Sequence, residues 1–67
     1  MKVIYRLYEI RTEKKLTVRE LEQLSGVSKS TISRIEQQDM NPSVLTICQI
    51  ADALNVAPYD LFYIEKQ

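Results

Sequence analysis

The sequence predicts an all-α fold, five short helices packed as one compact domain over residues 1–67. Three observations predict it. Apolar residues recur at three- and four-residue steps, the period of a helix with one buried face. Thr17, Ser28 and Ser43 stand just ahead of such runs, where helix N-caps belong. The chain holds one Gly and two Pro, too few for the turns of an all-β fold. With 45% hydrophobic residues, its length suffices for a single core and is unlike a disordered tail.

The first helix is expected over about Lys2 to Lys14, where Val3, Ile4, Leu7 and Ile10 share one face. Tyr8 flanks that seam and Tyr5 lies at its edge. Arg11 continues the same face, so a base falls on a core position and needs a partner. The second helix starts at Thr17, with Glu20 three residues on completing a capping box. Leu16 and Leu21 are placed as a hydrophobic staple across that start. Leu21 and Leu24 should point inward and Arg19 away. Gly26 can take the left-handed conformation that closes a helix, and Val27 should plug inward after it.

The third helix begins at its N-cap Ser28. Ile32 and Ile35 mark its buried side, while Lys29, Ser30, Ser33 and Arg34 occupy the other. That outer side has no bulky apolar group and no acid. A solvated helix would more often mix Glu with Lys there. Phosphates repel acids, and base edges need close approach, so the composition suits a helix that reads DNA. Thr17 to Glu36 thus has the form of a helix-turn-helix, which lays its second helix in the major groove.

Gln37 to Asn41 is a polar loop, and Pro42 prevents a helix from running through it. Ser43 caps a fourth helix over about Val44 to Leu54, with Val44, Ile47, Ala51 and Leu54 as its seam. Cys48 and Ile50 stand on its shoulders, and Asn55 ends it in place of Gly. Pro58 opens a short fifth helix to about Tyr63, anchored by Leu61 and Phe62. Glu65 to Gln67 should fray.

Net charge is zero, but it is polarised. Residues 1–35 carry eight bases against four acids, and residues 36–67 carry one base against five acids. The basic half holds the helix-turn-helix, although a small protein can segregate charge by chance. No apolar run is long enough for a membrane span, and the N-terminal residues lack the apolar centre of a signal peptide. Cys48 is the sole cysteine, which fits a reducing, cytoplasmic setting. With no His, no metal-ligand spacing and no Gly-rich phosphate loop, an enzyme, a metal and a cofactor are not expected.

At this point a family is recognisable. From about Ile4 to Phe62 the chain resembles the Cro/phage-repressor (XRE-type, lambda-repressor-like) helix-turn-helix domains. The resemblance is carried by Ile10-Arg11, Leu16-Thr17, Glu20-Leu21, Gly26-Val27-Ser28 and Thr31 to Glu36. It continues through Asn41-Pro42-Ser43, Ile50 to Val56 and Leu61-Phe62. No one piece is diagnostic; their order and spacing are.

The resemblance implies a compact five-helix domain that binds double-stranded operator DNA as a homodimer. By position it assigns Lys29, Ser30, Thr31, Ser33 and Arg34 to the DNA-reading set, with Ser28 and Arg19 beside them. Arg34 suits a bidentate guanine contact or a phosphate. Backbone N–H groups at the starts of the second and third helices would add phosphate contacts. The family also often pairs an Arg late in the first helix with a Glu ending the third, here Arg11 with Glu36. A dimer surface around Tyr59, Phe62 and Tyr63 is the alternative to simple core packing of these aromatics, with Leu45 off the helical seam beside them.

Three positions depart from the family pattern. Val18 replaces a Gln that meets DNA, and Glu22 replaces an Ala that packs under the third helix. Gln37-Gln38-Asp39-Met40 replaces a basic, Gly-containing turn. These departures imply fewer phosphate contacts and weaker binding. They also motivate a reading from another class, a protein-interaction module such as an antitoxin partner with weak or lost DNA binding. No effector domain follows the motif in these residues, so a small-molecule ligand is not expected.

Overall fold

The structure, a computed structural model, describes residues 1–66. Its elements are β1 (Lys2–Tyr5), α1 (Leu7–Glu13), α2 (Val18–Ser25), α3 (Lys29–Glu36) and α4 (Val44–Leu54). A 3-10 turn (Pro58–Asp60) and β2 (Phe62–Glu65) follow. The core is helical, but five helices is corrected to four α-helices, one 3-10 turn and a two-stranded sheet.

Both corrections fall at the ends of the chain. Residues 2–5 were expected in the first helix, but they form a strand antiparallel to β2, in the register Lys2↔Glu65, Val3↔Ile64, Ile4↔Tyr63 and Tyr5↔Phe62. The fifth helix shortens to the 3-10 turn, whose N-cap residue Ala57 donates its N–H to Asp60 Oδ2 at 3.1 Å. Val, Ile, Tyr and Phe favour strands, and a short apolar run carries no length to distinguish helix from strand. The partner strand supplies the difference, and it lies almost a full chain length away. Glu65, expected to fray, pairs with Lys2 instead; Gln67 lies outside the described residues.

The seven largest fully buried side chains are Leu7, Leu21, Ile32, Ile35, Ile50, Leu54 and Leu61. Each contributes roughly 1.5–3 kcal/mol through burial. They come from α1 to α4 and from the link into β2, so the helices share one core closed by the sheet. Two seam assignments change. Leu24 is 61% exposed on α2 and Val44 is 80% exposed on α4. Ile50, expected on the shoulder, is fully buried.

All four helices stop on a residue with positive φ. After α2 it is Gly26, at 77°. After α1, α3 and α4 it is Lys15 (59°), Gln38 (61°) and Asn55 (58°). Each of these three is followed by the paired bonds of a Schellman closure. After α3, Gln38 N–H donates to the Ile35 carbonyl at 3.0 Å and Asp39 N–H to the Arg34 carbonyl at 2.9 Å. A left-handed non-glycine residue costs roughly 1–2 kcal/mol. At Gln38, the side chain offsets it.

The Gln38 amide binds both backbone groups of Tyr5 on the free edge of β1. Tyr5 N–H donates to Gln38 Oε1 at 2.9 Å, and Gln38 Nε2 donates to the Tyr5 carbonyl at 2.8 Å. The Tyr5 hydroxyl donates to Asn41 Oδ1 at 2.9 Å, and burial pushes its pKa above the ordinary tyrosine value. The loop after α3 is thereby tied at two points to the sheet.

Candidate nucleic-acid interface

The α2–α3 pair is built by its caps and one apolar seam. Thr17 Oγ1 accepts from Glu20 N–H at 3.0 Å and Glu20 Oε1 accepts from Thr17 N–H at 2.8 Å, so the capping box forms. Gly26 turns the chain, and the Ser25 hydroxyl accepts from Val27 N–H at 3.1 Å within that turn. Ser28 Oγ then accepts from Thr31 N–H at 3.2 Å and starts α3. Leu21, Ile32 and Ile35 are all 0% exposed, which locks the two helices together and leaves one side of α3 outward.

That outer side carries most of the residues singled out in the sequence. Ser28, Lys29, Ser30 and Arg34 are exposed, and Thr31 and Ser33 are half-buried. Arg19 is exposed in the first turn of α2. The hydroxyls differ in availability. Ser28 and Thr31 bind one another at 2.9 Å, whereas those of Ser30 and Ser33 have no partner among the described residues. Gln37, assigned to the loop by sequence, caps the end of α3. It lies seven residues after Ser30, two helical turns further along one face. The helical wheel could have found it, had the helix been carried one residue further.

Glu22 replaces the family's small residue without a clash. It is half-buried, and its Oε2 accepts from Lys29 N–H at 2.8 Å. A carboxylate at a helix N-terminus is favourable there. It also occupies an N–H expected to meet phosphate. Of the first α3 amides, only that of Ser30 lacks a protein acceptor among the described residues; on α2 the same is true of Val18 and Arg19. The Val18 side chain packs against the core.

Arg11 and Glu36 meet behind this face. Arg11 Nε donates to Glu36 Oε2 at 2.6 Å and Nη2 to Oε1 at 3.0 Å. Arg11 Nη1 donates to the Leu16 carbonyl at 2.7 Å, and the guanidinium stands 5.4 Å from the Tyr8 ring centroid. Hydrogen bonding to Glu36 raises the arginine pKa above its ordinary value despite burial. The pair joins α1 to the last residue of α3, and so fixes the tilt of the exposed side. Arg34 differs: its Nε lies 3.5 Å from Asp39 Oδ2, with both side chains more than half exposed. No group of three or more metal-binding side chains occurs among the described residues, and no helix there is long and apolar enough to cross a membrane.

Two capped helices around a glycine turn, with a polar, acid-free outer face on the second, define a helix-turn-helix DNA-binding domain. The chain belongs to the HTH_3 helix-turn-helix family, whose sequence model matches residues 7–61. It is 40% identical over 52 residues to an uncharacterised HTH-type transcriptional regulator of Sinorhizobium fredii, covering 78% of this chain and 68% of that one. The restriction-modification controller protein C.AhdI of Aeromonas hydrophila superposes with a TM-score of 0.80 at 38% identity, covering 85% of this chain and 86% of the other. An HTH_3 family transcriptional regulator of Vibrio cholerae gives a TM-score of 0.76 at 30% identity. That match covers 79% of this chain and 30% of that longer protein. Family members are regulators of transcription that bind double-stranded DNA, not enzymes, and this chain is a DNA-binding transcription regulator of that kind.

Proposed function

We propose that this protein is a transcriptional repressor that binds an inverted-repeat operator as a homodimer, each copy placing α3 in the major groove. The observation that carries the reading is the outer side of α3. Lys29, Ser30 and Arg34 are exposed on it, while Ile32 and Ile35 behind it are fully buried. Arg34 is the base-reading side chain. Lys29 and Arg19 serve phosphates, Ser28, Ser30, Thr31 and Ser33 line the approach, and Gln37 extends the set by one position. Arg11 and Glu36 hold α3 at its working angle without touching DNA.

The homodimer is supported by an apolar groove of about 370 Å³ between α4 and the sheet end of the domain, lined by Tyr5, Val44, Ile47, Tyr59 and Phe62 among others. Val44 and Tyr59, which line it, are 80% and 74% exposed, and neighbouring Leu45 is 69% exposed. Tyr63 and Ile64 on β2 extend the exposed apolar surface. Half-sites should then lie about 10 bp apart or a multiple of that. The likeness to a restriction-modification controller favours a gene of such a system as the regulated one.

In vitro selection of bound DNA followed by salt-titrated shift assays tests the reading. Wild type should select a symmetric site. Arg34→Ala should lose about 1–3 kcal/mol of discrimination there. A variant that binds every sequence as wild type does removes Arg34 from the reading set.

A further inference from the structure

The turn after α3 places an acid where the reading face ends. Asp39 is held beside Arg34 by the main chain itself, because its N–H closes the helix on the Arg34 carbonyl at 2.9 Å. Its carboxylate lies 3.5 Å from Arg34 Nε, and its carbonyl oxygen 3.4 Å from Arg34 Nη2. The turn is fixed in its own right by the two bonds between the Gln38 side chain and the backbone of Tyr5. The carboxylate therefore stays at the end of α3 wherever the Arg34 side chain goes. Stability does not account for it, since an ion pair with side chains 57% and 65% exposed contributes little.

We propose that Asp39, held by Gln38, is a specificity determinant that discourages Arg34 from binding phosphate and leaves it for a base edge. The inference rests on the reading of α3 as the DNA-contacting helix. A phosphate carries a full negative charge, whereas guanine presents only the partial charges of O6 and N7. An adjacent carboxylate therefore penalises the phosphate contact more. In a water-like dielectric, one like charge at about 6 Å from a phosphate weakens binding roughly threefold. Asp39 lowers affinity for all DNA, and lowers it most for DNA that offers Arg34 no matching base.

The test measures wild type, Asp39→Asn and Gln38→Ala on a selected site and on random-sequence duplex across a range of salt concentrations. Asp39→Asn should bind random DNA up to about threefold more tightly, with the salt dependence steeper by up to about one phosphate contact. The selected site should gain less, so the ratio of specific to non-specific affinity falls. Gln38→Ala, which frees the turn, should move both affinities the same way by a smaller factor. The substitution at exposed Asp39 is isosteric, and a thermal melt confirms folding. Unchanged random-DNA affinity and salt slope in Asp39→Asn overturn the proposal. So does a loss at the selected site with no gain on random DNA, which would make Asp39 an aligner of Arg34. If wild type and Asp39→Asn both fail to bind any duplex with salt dependence, the DNA-contact reading itself is wrong and this inference falls with it.

Discussion

Arg11 and Glu36 are 25 residues apart in sequence, yet they form the most enclosed ion pair among the described residues, with side chains 11% and 9% exposed. Removing one charge leaves the other desolvated without its partner, which typically costs about 3–5 kcal/mol. Domains are stable by only about 5–15 kcal/mol, and one this small sits toward the low end. Glu36→Gln should therefore lose about 3 kcal/mol or more in urea unfolding, and DNA binding should weaken both as the folded fraction falls and as α3 loses its working angle. Lys15 and Gln38 make a second contrast at this scale. Both take positive φ without being glycine, but only Gln38 has side-chain bonds that offset the cost. Lys15→Gly should stabilise the fold by about 0.5–1 kcal/mol, after the extra entropy of an unfolded glycine is deducted. Gln38→Gly should instead lose about 1 kcal/mol, because it gives up both bonds to Tyr5. Parallel denaturation curves of the two variants check the pair.

Among the elements, α3 shows how a short helix is held. Its eight residues are too few to be stable alone in water, so caps and packing must supply the rest. Ser28 and Glu22 serve its first turn, the Schellman closure at Gln38 serves its last, and Ile32 and Ile35 fix one side. Ser28→Ala should cost about 1 kcal/mol, seen as a lower urea midpoint at unchanged slope. The three departures from the family pattern acquire distinct structural roles here. Val18 packs against the core, Glu22 caps α3, and Gln38 fastens the turn to β1. The sheet is more than an ornament at the chain ends, since its free edge receives the Gln38 amide and so anchors the loop that follows the reading helix.

At the scale of the whole molecule, two surfaces stand out. One is the polar side of α3; the other is the apolar groove with Val44, Leu45 and Tyr59 around it. If the groove is the contact between two copies, a charge at its rim should separate them without unfolding either. Tyr59→Glu should shift sedimentation from dimer to monomer and weaken operator binding at low protein concentration, while the thermal melt changes little. An unchanged sedimentation coefficient would place the dimer contact elsewhere. Because the reading helix and the groove draw on different residues, this variant and Arg34→Ala should have independent effects on DNA binding.

By itself, the sequence determined the helical core, the caps at Thr17, Ser28 and Ser43, the glycine turn and the polar outer side of α3. These follow from local periodicity and from side chains acting within four residues of themselves, which a single chain displays directly. Family resemblance pointed to the Arg11 and Glu36 positions. The tertiary structure decided whether Val3, Ile4 and Tyr5 form helix or strand, because their partner is the segment 62–65 at the far end of the chain. It also decided what Glu22 and Gln38 do. Each binds a backbone group that becomes available only when another segment arrives: the first turn of α3 for Glu22, the edge of β1 for Gln38. Pairings of that kind leave no period in the sequence, since they depend on how distant segments meet rather than on how neighbours are spaced.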